Sequence, residues 1–290
     1  MELSWSIVLA VLVGALLHAG WNVLVKTGTD KPLDTALLNL LGSAVALPLL
    51  ALAGGPPPPA AWPYLGATLV IHLGYFTALA GAYQHGELNL TYPIMRGLAP
   101  LLVALASSAL LVEVPRPLAW VGISSIASGV ALVGLSHPGQ ALHHRRALAF
   151  AFSNAGIIAA YTVVDGLGVR VASATGGSAW QYVLTLSALD GLAYPALVLW
   201  RRRAAAAETT AYLRRRWPLG LLSAAASIGS YAIALWAMTR APVASVAALR
   251  ETSVLFAALI GAVLLGEGFG PQRALGTLAI VAGVMALRLA

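Results

Sequence analysis

A chain of 290 residues has the length of about two soluble domains, but 59 % of it is apolar and only 9 % charged, against about 25 % charged in soluble proteins. That composition excludes an ordinary soluble enzyme and points to a polytopic membrane protein. Cysteine is absent, so disulfides and thiolate metal sites are excluded. The net charge of +7 gathers in short loops between apolar runs, where it sets membrane orientation and marks no nucleic-acid partner.

Crossing the hydrocarbon as a helix takes about 20 apolar residues. Ten such runs follow in order, at 4–25, 33–53, 62–84, 91–112, 117–135, 147–168, 178–200, 217–239, 243–265 and 271–289. The expected fold is an all-α integral membrane bundle of ten transmembrane helices. Glu2, with no basic residue before the first run, predicts a retained span and no cleaved signal peptide. Trp5, Trp62, Trp120, Trp180, Trp200 and Trp217 fall at ends of these runs, the headgroup level that indoles favour. Trp21 and Trp236 fall inside runs and are candidates for a cavity wall or for plain packing. Gly54 to Pro59 reads as a turn, His137 to Arg146 as the central connection, and Arg201 to Arg216 as the longest loop.

Lys26, Lys31, Arg145, Arg146, Arg201, Arg202, Arg203, Arg214, Arg215, Arg216 and Arg273 fall on one side of such a bundle. Only Arg116, Arg170, Arg240 and Arg288 fall on the other. Eleven basic residues against four place the first side in the cytoplasm and both termini outside.

The chain also repeats itself. Displaced by 154 positions, the stretch around Arg96 lands on that around Arg250, with Glu113 on Glu267, Pro117 on Pro271, Gly122 on Gly276 and Gly129 on Gly283. More weakly, Pro48 aligns with Pro195, Ser43 with Asp190, and Trp21 and Asn22 with Tyr161 and Thr162. Five spans per copy is an odd number, so copies at 1–140 and 141–290 are expected to cross in opposite directions as inverted repeats. In secondary transporters of that architecture the substrate sits near the midplane, where the repeats meet.

In these features the chain resembles the drug/metabolite transporter superfamily, EamA type. The residues that carry the resemblance are the paired hairpins LLVEVPRP with Gly122 and Gly129, and LLGEGFGP with Gly276 and Gly283. It implies alternating-access transport of a small metabolite, often by export. It further implies a cavity lined by the first, third and fourth spans of each half, with the fifth and tenth as packing scaffold. Relatives are commonly drawn with both termini in the cytoplasm, whereas the charges here place them outside.

Ionisable groups within spans are costly and therefore functional candidates. Arg96 and Arg250 lie roughly 9–10 Å below opposite interfaces at 1.5 Å per residue, within reach of one central cavity. A pair of guanidinium groups suits a carboxylate, phosphate or phosphonate; snorkelling to the interface is the other reading. Tyr92 shares a face with Arg96. Asp190 reads as counter-ion to Arg96 or Arg250, proton carrier or amine site; Glu251 points to another span, and Asp165 lies near the end of the sixth. Polar stripes run through His18, Asn22 and Lys26, through Asn154, Tyr161 and Asp165, and through Ser227 and Tyr231, with His72 and Tyr75 as weaker candidates. These residues either line a site or join helices by hydrogen bonds. Glu113 and Glu267, at span ends, are expected to bond amides of their own following turns.

No metalloprotease, P-loop or nucleophile-elbow motif is present. The expectation is a transporter, not an enzyme, with no cofactor, in the bacterial inner membrane, as monomer or homodimer. It would move an amino acid or organic anion, driven by its own gradient or by protons as coupling ion. A lipid-linked metabolite flippase or an organic-cation exporter is the alternative.

Overall fold

In lipid a backbone must satisfy its own polar groups, so apolar runs of this length become helices. The computed structural model describes residues 3–85, 88–134, 145–264 and 270–290, without the side chains of 76, 77, 79–85, 88–92 and 264. Glu267, His143 and His144 thus lie outside the described residues, as does the side chain of Tyr92. The helices are α1 (Trp5–Lys26), α2 (Lys31–Leu52), α3 (Trp62–His85), α4 (Leu88–Leu110), α5 (Pro117–Gly134), α6 (Arg145–Ala174), α7 (Ala179–Arg201), α8 (Ala206–Met238), α9 (Val243–Arg250), α10 (Ser253–Leu264) and α11 (Pro271–Leu289). Among the described residues there is no strand, and nine segments are long and apolar enough to cross a membrane. Side chains write several starts: Ser4 caps α1, Asp30 caps α2, and Ser178 with Gln181 forms a capping box on α7.

Three expectations change. The stretch 201–216 is mostly helix: a 3-10 turn at Arg203–Ala205 leads straight into α8. Alanine and arginine are strong helix formers, whereas the six arginines of this stretch keep its hydropathy low. α8 therefore has 33 residues, about 50 Å at 1.5 Å each, and outruns a hydrocarbon core of about 30 Å. The sixth span likewise extends to Ala174, which moves Asp165 from its end to its interior. The ninth run is not one helix, because α9 stops at Arg250 and α10 restarts at Ser253.

Equivalent helices pack on one another. Against the Gly122 Cα lies the carbonyl of Gly283, and against Gly283 that of Gly122; Gly129 and Gly276 reciprocate in the same way. Numbers rise along α5 as they fall along α11, so the two run antiparallel, with Ser125 donating to the Ala279 carbonyl at 2.9 Å. α2 and α7 are antiparallel too. Asp30 meets Arg202 at one end (2.7 Å), Gln181 donates to the Ala53 carbonyl at the other (3.1 Å), and Ser43 fills the notch beside Gly191. The contact of α3 with α6 is matched by that of α8 with α1, and the contact of α4 with α6 by that of α9 and α10 with α1.

Charged groups tie the two ends of the bundle. At one, Arg216 bonds Asp34 (3.0 Å) and the Leu24 carbonyl (3.1 Å), and Tyr212 donates to Asp34 (2.8 Å). At the other, Arg170 contacts Glu113 (2.7 Å) and donates to the carbonyls of Met238 (2.7 Å) and Ala241 (3.1 Å). Glu113 does not bond amides of its own turn. It accepts the Val243 N–H at 2.9 Å, capping α9 from across the bundle.

Candidate functional site

The candidate site lies where α4 and the α9–α10 break approach each other. In α4, Pro100 has no N–H to give to the carbonyl of Arg96, four residues back. At the aligned place in the second copy, the Val254 N–H bonds the Glu251 carbonyl (3.0 Å), so the Arg250 carbonyl also loses its helical partner. One copy opens its helix with a proline and the other with a turn. Discontinuous helices of this kind build substrate sites in transporters, because irregular backbone is tolerated there only beside a cavity.

Arg96 and Arg250 line one cavity, together with Glu251, Tyr161, Thr162 and Pro100. It measures ≈ 10 Å³, room for about one water. The guanidinium groups do not snorkel to opposite interfaces. Glu251 lies 2.8 Å from the Arg96 Nε, a close ion contact whose N–H is not aligned for a hydrogen bond. Arg96 also donates to Ser253 Oγ (3.3 Å) and to His18 Nε2 (3.4 Å). Glu251, and not Asp190, is therefore the counter-ion of Arg96. Arg250 stacks 5.2 Å from the Tyr231 ring centre and, among the described residues, pairs with no carboxylate. Two positive charges and one negative leave the chamber with a net positive charge at Arg250. As the last residue of α9, Arg250 sits at the negative end of that helix dipole, which favours its charge.

Behind Tyr231 lies Asp165, 0 % exposed. Its carboxylate accepts from Tyr231, from Thr68 (2.6 Å) and from Tyr182 (2.8 Å), joining α3, α6, α7 and α8 at one point. Thr68 and Tyr182 did not stand out in the sequence; the signal was only that a buried carboxylate needs donors. Asp190 bonds His72 at 2.9 Å, and the His72 ring stands edge-on to Tyr161, 5.0 Å between centres. Tyr75 stacks edge-on with Tyr161 as well, and its carbonyl accepts from Asn154.

The remaining candidates are placed differently. Trp21 packs edge-on to His18, its buried indole N–H without a partner among the described residues, and Asn22 donates to its own helix at the His18 carbonyl (2.7 Å). Trp236 lies near the end of α8 beneath Arg240 (4.6 Å), away from the cavity wall.

The sequence profile of the EamA-like transporter family matches residues 5–135 and again 145–289. A solved structure described only as "Crystal structure of protein" superposes with a TM-score of 0.70 over 98 % of this chain and 96 % of its own, at 21 % identity, which shows a shared fold. No curated protein matches. With two matches that together span nearly the whole sequence, the chain belongs to the EamA-like transporter family and is a multi-pass membrane transporter.

Proposed function

We propose that the protein is a secondary transporter of a small metabolite carrying a carboxylate, with zwitterions favoured over dianions. Ten spans form two inverted five-helix repeats, 1–140 and 141–290, that rock about the Arg96–Arg250 chamber in the bacterial inner membrane with both termini outside. The observation that carries the reading is the guanidinium of Arg250, without a carboxylate partner among the described residues, beside an Arg96–Glu251 pair on the same cavity. A substrate carboxylate takes Arg250 through charge-assisted hydrogen bonds, while Glu251 offers the one negative charge that a substrate amine can meet. A dianion would meet repulsion from Glu251, which a zwitterion does not. A chamber of ≈ 10 Å³ is too small for a metabolite, so in this reading it opens for substrate, with the break at Glu251–Thr252 as the hinge.

The test is counterflow of labelled metabolites in proteoliposomes. Arg250→Ala removes a contact worth about 1.5–3 kcal/mol and is expected to weaken carboxylate substrates about ten- to hundredfold. Counterflow of organic cations alone, or carboxylate counterflow untouched by Arg250→Ala, would overturn the reading.

A further inference from the structure

Three carboxylates lie within the spans beside the chamber, and they differ in what can reach them. Asp165 is 0 % exposed and saturated by three hydroxyl donors. Glu251 is 5 % exposed and held by Arg96. Asp190, at the middle of α7, keeps 30 % of its side chain exposed, and its partner is itself titratable: His72, 18 % exposed. We propose that His72 and Asp190 form a proton-binding site that couples transport to a proton gradient.

The pair bridges α3 of the first half and α7 of the second, so its charge state acts on a contact between the two moving parts. It also touches the chamber wall. The His72 ring also meets Tyr161, which lines the cavity with Arg96, Arg250 and Glu251. A proton added to the imidazole brings a cation against that ring and converts a neutral–anion hydrogen bond into an ion pair. Around the pair, α6 contributes Tyr161 and Asp165, α8 contributes Tyr231 through its bond to Asp165, and α2 contributes the uncharged Ser43, bonded to the Ser187 and Ala188 carbonyls. Arg96 of α4 and Arg250 of α9 line the cavity with Tyr161.

The duplication sharpens the point. Scaffold positions are doubled, as in the four packing glycines. Asp190 instead aligns with Ser43, and His72 aligns with Ser227 when Trp62–Pro63 is set on Trp217–Pro218. The first copy folds without the carboxylate and the second without the imidazole, so neither group is needed for the shared frame.

The proposal rests on the transporter reading, and the assay separates the two. Counterflow needs no net proton movement, whereas accumulation against a gradient does. In wild-type proteoliposomes a gradient of one pH unit is expected to accumulate substrate about tenfold for one proton per substrate, with a matching signal from an enclosed pH dye. Asp190→Asn and His72→Gln are each expected to keep counterflow and to lose that accumulation and the dye signal. Absence of counterflow in wild type would sink the transporter reading itself. Counterflow in wild type without any proton signal, accumulation driven by sodium alone, or accumulation retained in both variants would overturn the proton site. Counterflow in wild type with no dye signal overturns the proton site whether or not a variant inserts.

Discussion

Arg170 closes one end of the bundle with a single side chain, and its removal can be ranked against its partner's. The guanidinium, about four-fifths buried, holds Glu113 at 2.7 Å and clamps the carbonyls of Met238 and Ala241, where α8 ends. Arg170→Ala deletes these contacts and leaves a mostly buried carboxylate that keeps its bond to the Val243 N–H. Breaking a buried pair from one side costs about 3–5 kcal/mol, and the residual exposure points to the lower end, about 3. Glu113→Gln removes only the ion pair: the amide oxygen can still accept from Val243, and Arg170 keeps both carbonyls. That costs about 1–2 kcal/mol. At about 2–4 °C per kcal/mol, Arg170→Ala should lower Tm by about 6–12 °C and Glu113→Gln by about 2–8 °C. Eight tryptophans make intrinsic fluorescence in detergent a suitable readout. Equal losses in the two variants would mean that the carbonyl clamp contributes nothing. A loss under about 1 °C in both would refute the closure altogether.

Other substitutions test other parts of the frame. Val112 ends α4 with φ at 55°, and 83 % of it is exposed. A branched side chain there costs about 1–2 kcal/mol, so Val112→Gly, the residue that the second copy carries at 266, should raise Tm by a few degrees; a fall would show that Val112 packs on something. A Cβ on Gly129 would meet the Gly276 carbonyl at 2.6 Å, a backbone atom that cannot move aside. Gly129→Ala should therefore cost about 1–3 kcal/mol, while Gly66→Ala in α3, with nothing within 4 Å, should stabilise by about 0.5–1; the reverse order of melting temperatures would refute the α5–α11 packing. Asp165→Asn replaces an acceptor-only group with one that also donates, strands one of the three hydroxyls and should cost about 1–3 kcal/mol. An unchanged melt would mean that those hydroxyls have other partners.

The sequence discloses helices well and partners poorly. Apolar length marks the helices, and a charge inside an apolar run stands out, which is why Arg96 and Arg250 could be set at one cavity from the sequence. Their surroundings depend on which helices cross at that depth, and helical periodicity carries no record of that. Glu251 could be seen to point away from Arg250, but only the break after Arg250 turns it to Arg96. That break has no proline or glycine to announce it. Thr68 and Tyr182 passed unnoticed because a lone hydroxyl in a span can bond its own helix, as Thr175 does at the Val171 carbonyl.

The same reasoning explains the misplacement of Asp190. A buried ion needs an opposite charge, and the arginines were the evident cations, so Asp190 was expected to face one of them. The fold gives Arg96 a nearer carboxylate and gives Asp190 an imidazole. A pair between two fixed charges resists change. A pair that includes histidine takes or loses a proton at modest cost. In one bundle the first kind lines the cavity and the second joins α3 to α7, and the choice between them is made by helix crossings, not by residue types.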